Sequence, residues 1–318
     1  MGFSGNTYSK ALEIKRKQLQ NSDEKRRVLK EELYNDIPRV KEIDQRLSKI
    51  GMEIVLSTFS GDKSKLKDLE NECLSLNKER DSIIPKSKYE IPYFCDKCKD
   101  SGYFDGKYCS CVEQLAKEIR FEELKEIAPF DVCRFENFDL KYYPDVATGK
   151  FSPKERMESN LKYFKKFINN FPSGENLLLI GGAGLGKTHI SIAIANEIIK
   201  KGYDVFYSSI EDIISTLEAE RYGRIKTNFD LKEAIQQCDL LVIDDLGTEF
   251  LTQFGKTEIY DIINSRILKN KQTIINTNLF MEEIAERYSP RISSRLIGNY
   301  TTLIFEGKDI RQLKLAEK

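Results

Sequence analysis

The stretch GGAGLGKT at residues 181–188 constrains this chain more than any other part of it. An apolar run, LLLI at 177–180, precedes it, and HISIAIANEII follows. The pattern predicts a strand, a tight turn and a helix, with the glycines at the turn. Glycines at 181, 182, 184 and 186 leave room for backbone N–H groups to curl round phosphate oxygens, and the helix start adds the positive end of its dipole. Gly181, Gly182, Ala183, Gly184, Leu185, Gly186, Lys187, Thr188 and His189 are therefore assigned to nucleotide binding. Lys187 is expected to reach the β and γ phosphates, and the Thr188 hydroxyl to hold Mg2+. The imidazole of His189, the single histidine, is read as packing or solvated rather than catalytic. A ligand-free glycine turn is the plain alternative, and agreement of the whole pattern with both flanks argues against it.

A second cluster points to the same ligand. Leu240, Leu241, Val242 and Ile243 form an apolar run that ends in Asp244 and Asp245. Strands buried on both faces belong to parallel sheets, whose carboxyl ends carry the ligand. Two adjacent carboxylates repel unless a cation lies near them, so Asp244 is assigned to Mg2+ through water and Asp245 to orienting or deprotonating an attacking water. Two ordinary turn acids ahead of Gly247 are the alternative.

Around these motifs, short apolar runs alternate with helical stretches. Helices are expected at about 153–171, 187–201, 210–221, 229–237 and 255–269, with strands at 176–180, 203–208, 239–243, 272–276 and 300–305. Two short helices precede the last strand. Such alternation implies an α/β domain with a parallel sheet and helices on both faces. Residues 130–153 read as a strand or extended linker lying on that domain, with Phe135 and Phe138 dipping inward.

The front of the chain differs. Residues 9–84 are charged, with apolar residues at helical spacing, and imply three helices. Val40, Ile43, Leu47, Ile50 and Ile54 form a narrow seam that Leu66, Leu69, Cys73 and Leu76 continue in the third helix. The seam suits either a self-packed helical hairpin or a docking surface. Cys95, Cys98, Cys109 and Cys111 follow, four thiolates on two short turns. Soft ligands at this spacing indicate structural Zn2+ first, an iron–sulfur cluster second and unligated thiols third. The expected units are a helical region 1–88, a zinc-binding segment with a linker helix 89–128, and an ATPase domain 129–318.

Lysine plus arginine and aspartate plus glutamate both number 51, which excludes a global positive field for nucleic acid. No long apolar run marks a membrane span, and the polar start lacks a secretory core, so a cytoplasmic protein without membrane contact is expected.

The motifs FENFDL, GGAGLGKT, DLLVIDDLGTE, IINSRI, IINTNL and RISSRL resemble the AAA+ ATPases, and within them the DnaC/DnaI family of bacterial replicative helicase loaders. The transposition helper IstB is a close relative. The resemblance spans roughly residues 130–311. It places a sensor asparagine at Asn278, which aligns better than Asn276, an arginine finger at Arg295 with Arg291 beside it, and a second sensor at Arg311. The acid pair is Asp-Asp where many AAA+ proteins have Asp-Glu. A full AAA+ lid domain is not expected. By resemblance, the partners are the hexameric replicative helicase, held by the amino-terminal region, single-stranded DNA, and further copies of the chain through the ATPase domain. The basic aromatic stretches at 160–167 and 220–226 suit a DNA groove or a solvated helix face equally. A transposition helper, an ATP-binding adaptor without turnover, and a small-molecule kinase are the competing readings.

Overall fold

The computed structural model describes residues 5–60, 63–85, 89, 93–147, 150–172, 175–224 and 231–317. The end of the 220–226 stretch and the start of the helix expected at 229 lie outside these residues. The chain divides into two compact units, Leu12–Val112 and Met1–Ala11 with Glu113–Lys318.

The smaller unit contains most of α1 (Gly5–Asp36), then α2 (Pro38–Ser60) and α3 (Lys63–Ile83). Val40, Ile43 and Ile50 of the seam are buried, as is Leu69 opposite them. Two forked arginine–carboxylate pairs clasp α2 to α3: Arg46 donates to Glu72 at 2.6 and 2.8 Å, and Arg39 to Glu79 at 2.8 and 3.2 Å. The self-packed hairpin therefore accounts for the seam. Asp44 adds α1 by accepting from Tyr34 and Arg80, both at 2.8 Å. The unit ends in the cysteine segment, where β1 (Tyr103–Phe104) and β2 (Lys107–Tyr108) form a two-stranded antiparallel hairpin.

The larger unit is built on a five-stranded, all-parallel sheet. After α4 (Ser110–Ile127) and α5 (Pro153–Asn170) come β3 (Asn176–Ile180), α6 (Lys187–Lys200), β4 (Val205–Ser209), α7 (Ile210–Arg221) and α8 (Leu231–Gln237). Next are β5 (Leu240–Leu246), α9 (Gln253–Leu268), β6 (Gln272–Thr277), α10 (Met281–Arg287), α11 (Pro290–Asn299), β7 (Tyr300–Ile304) and α12 (Ile310–Ala316). The strand order is β4-β5-β6-β3-β7. This is the α/β P-loop architecture of AAA+ ATPases that the motifs imply.

Alternation within each strand fills two cores, one per face. Leu177, Leu179, Val205, Leu240, Val242 and Ile274 point into one, against α5 and α6. Leu178, Ile180, Leu241, Ile243 and Ile275 point into the other, against α7, α9 and α11. Residues 130–143 differ from the expected strand: they form two short 3-10 turns, Phe135–Asn137 and Leu140–Tyr142. Phe135 and Phe138 do pack inward, against the first core. Helix α12 has no counterpart in the sequence reading. Among the described residues, no helix is long and apolar enough to cross a membrane.

Candidate functional site

At the carboxyl edge of the sheet, β3 ends at Ile180 and α6 begins at Lys187, with the glycine loop between them. At Gly181, Gly184 and Gly186 the loop has no space for a Cβ. Gly186 has φ 88°, and a Cβ there would stand 2.9 Å from the Phe138 ring. Gly184, at φ 72°, meets the Asp309 carboxylate, which caps α12, and its carbonyl accepts from the Ile310 N–H at 3.0 Å. The 130–143 segment clamps the loop from another side. Tyr143 donates to the Leu185 carbonyl at 2.6 Å, His189 Nε2 lies 2.8 Å from the Arg134 carbonyl, and the His189 ring packs at a tilt against Phe138, centroids 5.6 Å apart.

A cleft of about 400 Å³ opens there, lined by residues 183–189, Asp245, Thr248, Asn278 and Arg311, with Cys133, Phe138 and Tyr142 farther along. Lys187 is buried, and its ammonium donates to the carbonyls of Gly181 (2.5 Å) and Gly182 (2.7 Å) and to Asn278 Oδ1 (2.6 Å). Burial pushes its pKa down to about 8, opposed by Asp245 and Asp244 and aided by Arg311.

Asp244 is buried and accepts from Thr188 Oγ1 at 3.2 Å, Asn276 Nδ2 at 2.7 Å, the Asp245 N–H at 3.1 Å and the Tyr207 hydroxyl. Its neighbour is displaced by a bulge. Ile243 pairs with Ile275 but Leu246 with Thr277, so β5 carries one extra residue at the acid pair, and Asp245 takes φ 54°. That turn exposes Asp245 to the cleft while Asp244 stays inside. The Asp245 carboxyl is raised above the usual aspartate range, first by the surrounding protein and then by Asp244, with Lys187 and Arg311 opposing.

The structure thus brings together the glycine loop, Lys187, Thr188, Asp244, Asp245, Asn278 and Arg311. Arg291 and Arg295 are elsewhere: both are exposed on α11, line no part of the cleft, and make no ion pair among the described residues. Sequence reading singles out neither Tyr207 nor Tyr143, and offers Asn276 only as the less favoured sensor asparagine. Their strand and linker positions look like ordinary core, and only the buried polar ends give them away.

In the smaller unit, the Sγ atoms of Cys95, Cys98, Cys109 and Cys111 all lie within 4.8 Å of one another, with 3.8 Å between Cys95 and Cys109 and 3.6 Å between Cys98 and Cys111. A tetrahedron with metal–sulfur bonds of about 2.3 Å has edges of about 3.8 Å. The four sulfurs therefore fit a Zn2+ ion. Buried Asp100 fixes the first turn by accepting the N–H groups of Phe94 (3.0 Å) and Cys95 (2.8 Å). The Cys98 N–H lowers the Cys95 thiol to about 7, whereas burial raises Cys98 and Cys111.

Residues 129–291, over half of the chain, match the family described as IstB-like ATP binding protein. The chain belongs to that family. Its IstB-like domain is similar to the replicative helicase loader DnaC of Escherichia coli K12, with 27% identity over 180 residues, 56% of this chain and 69% of the relative. The uncharacterized protein YqaM of Bacillus subtilis is 27% identical over 222 residues, 65% of this chain and 66% of the relative. A crystal structure of the DnaC helicase loader is 26% identical, with TM-score 0.45, covering 54% of this chain and 97% of that one. The resemblance read from the motifs holds: this is a DnaC/IstB-like AAA+ ATP-binding protein.

Proposed function

We propose that the chain is an ATP-dependent loader of the replicative DNA helicase that works in the cytoplasm. The observation that carries this reading is the cleft in which the glycine loop, Lys187, Thr188 and Asp245 converge, with Asp244 buried behind Thr188, in a chain whose curated relatives include the replicative helicase loader DnaC.

The loop amides and Lys187 would hold the β and γ phosphates; Thr188 would hold Mg2+ directly and Asp244 through water, and the ion would offset the charge of the phosphoryl oxygens. Their hard oxygen donors, 3.2 Å apart, suit that ion. Asp245, turned into the cleft, orients the attacking water and takes its proton. Asn278, beside Lys187, donates to the γ-phosphate and steadies the same water. Arg311 stands on the cis side of the phosphates. Arg295, whose side chain makes no ion pair among the described residues and lies outside its own cleft, serves a neighbouring subunit, where a guanidinium matches charge spread over phosphoryl oxygens.

The amino-terminal region grips the helicase. Met52, Val55, Leu56 and Phe59, at helical spacing along the end of α2, are all exposed, Phe59 by 88%. Such a stripe suits a partner helix or groove. Zn2+ bound by the four cysteines keeps the following segment folded. Single-stranded DNA is the other partner of the ATPase domain.

The test is ATP turnover against protein concentration, with and without single-stranded DNA, together with co-elution with the hexameric helicase in ATP and in ADP. Specific activity should rise with concentration, since a trans arginine is worth on the order of 10^3 to 10^5 in rate. Arg295→Ala should abolish turnover, and mixing with Lys187→Ala subunits should restore part of it. Recovery of a transposase and no helicase would refute the loader reading and favour a transposition helper.

A further inference from the structure

The Asp244 carboxylate is held more firmly than a metal anchor alone requires. Three donors converge on Oδ1: the Thr188 hydroxyl, the Asn276 amide and the Asp245 N–H. Oδ2 has a single donor among the described residues, the Tyr207 hydroxyl. Tyr207 lies on β4, beside β5, where Tyr207 pairs with Val242 and Ser209 with Asp244, so the phenol reaches its acceptor on the diagonal. Tyr207 is 5% exposed, and its ring packs edge-on against the fully buried Phe130, centroids 5.7 Å apart.

A tyrosine in such a place needs an explanation. Phenylalanine would fill the same core without a hydroxyl that must find an acceptor. The acceptor here is the carboxylate, and on the other flank Asn276 divides its amide between Asp244 and Ser191 Oγ, at 2.9 Å. An ionised carboxylate can only accept, so the phenol hydroxyl is the donor in this contact. With Oδ2 tied to β4, the carboxylate cannot rotate, and Oδ1 stays turned to the Thr188 hydroxyl.

We propose that Tyr207 is a positioning residue for the Mg2+ site: its hydroxyl fixes the rotation of the Asp244 carboxylate and so couples Mg2+ to nucleotide binding. This rests on the Mg-ATP reading given above. Donors behind a metal-binding group commonly change metal affinity by about 10- to 100-fold when removed.

The experiment measures the affinity of a fluorescent adenine nucleotide in Mg2+ and in EDTA for the full chain, Tyr207→Phe, Asp244→Asn and the double variant, with a thermal melt of each. The ratio of the two affinities is the Mg2+ coupling. Tyr207→Phe should lose roughly tenfold of that coupling while its EDTA affinity stays that of the parent. In the Asp244→Asn background the same change should cost no further coupling. Unchanged coupling in Tyr207→Phe, an equal loss in Mg2+ and in EDTA, an undiminished further loss in the double variant, or a chain that no longer melts cooperatively would each overturn the inference. Absence of any Mg2+ coupling in the parent chain would instead refute the Mg-ATP reading itself.

Discussion

The glycine loop and the cysteine segment are both short, both turn on glycines, and both gather donors round a point. They differ in what holds them. The loop is suspended between β3 and α6 over two apolar cores, and its shape is set by Phe138, Tyr143 and Asp309 before any phosphate arrives. The cysteine segment has a two-residue hairpin with exposed strands, and little besides Cys98, Cys109 and Asp100 is buried between Cys95 and Cys109. A scaffold that is rigid without its ligand risks only function when the ligand leaves. A scaffold built from its ligand risks its fold.

The largest effect should come from breaking the second kind. A structural zinc contributes about 10–16 kcal/mol to folding. Chelation, or Cys98→Ser, should abolish stoichiometric zinc by mass spectrometry and strip hydrogen-exchange protection from 95–111, with the amides of 181–189 unaffected. Equal loss of protection at both places would end the contrast. Next comes the support of the first kind. Arg266 is fully buried, and its guanidinium donates to the carbonyls of Ile235 (2.6 Å), Cys238 (3.1 Å) and Gln272 (2.5 Å) and to Thr273 Oγ1 (3.0 Å). Arg266→Ala leaves these acceptors unpaired beside a cavity, so denaturant unfolding should show a loss of about 4 kcal/mol, with zinc content unchanged.

The same contrast governs what the sequence reveals. The sheet and loop were legible because LLLI, LLVI and GGAGLGKT are local: each run carries its own period and its own turn. The four cysteines were legible for the same reason. The clamp at 130–143 was not. Phe135, Phe138 and Tyr143 follow no period, and their 3-10 turns are shaped by the loop they press on, some 40 residues away. The left-handed Asp245 depends on a one-residue bulge against β6, which no residue of β5 announces. Glu249 is buried and bonded to Tyr288 at 2.5 Å, a pairing that exists only once α10 is in place. Helix α12 is too short and polar for a periodic signal.

A smaller effect tests the loop by the charge it stores. Lys187 is held at a pKa of about 8, against 10.5 in the unfolded chain. Below pH 8 both states carry the proton, and the buried ammonium costs the native state on the order of 3 kcal/mol. As pH rises from 8 through 10.5, the native chain gives up the proton first and that cost disappears. Lys187→Met should therefore raise the melting temperature at pH 7, lose that advantage above pH 10.5, and lose nucleotide binding throughout. A variant less stable at pH 7 would mean that the cage of carbonyls outweighs the burial.

The smallest effect on stability belongs to the α2 stripe, and its smallness is informative. Phe59 is already 88% in water, so Phe59→Ser removes almost no burial and should change unfolding by less than about 0.5 kcal/mol. The Arg46–Glu72 and Arg39–Glu79 clasps that hold α2 to α3 do not involve it. An apolar side chain that contributes nothing to its own fold gains from burial only when something else covers it. Capture of the helicase by the full chain should then fall by tenfold or more, with the melt and the zinc content unmoved. Should the melt fall instead, the stripe would be packing within this chain, and the front unit would owe its stability to more than its buried seam, its metal and its two arginine clasps.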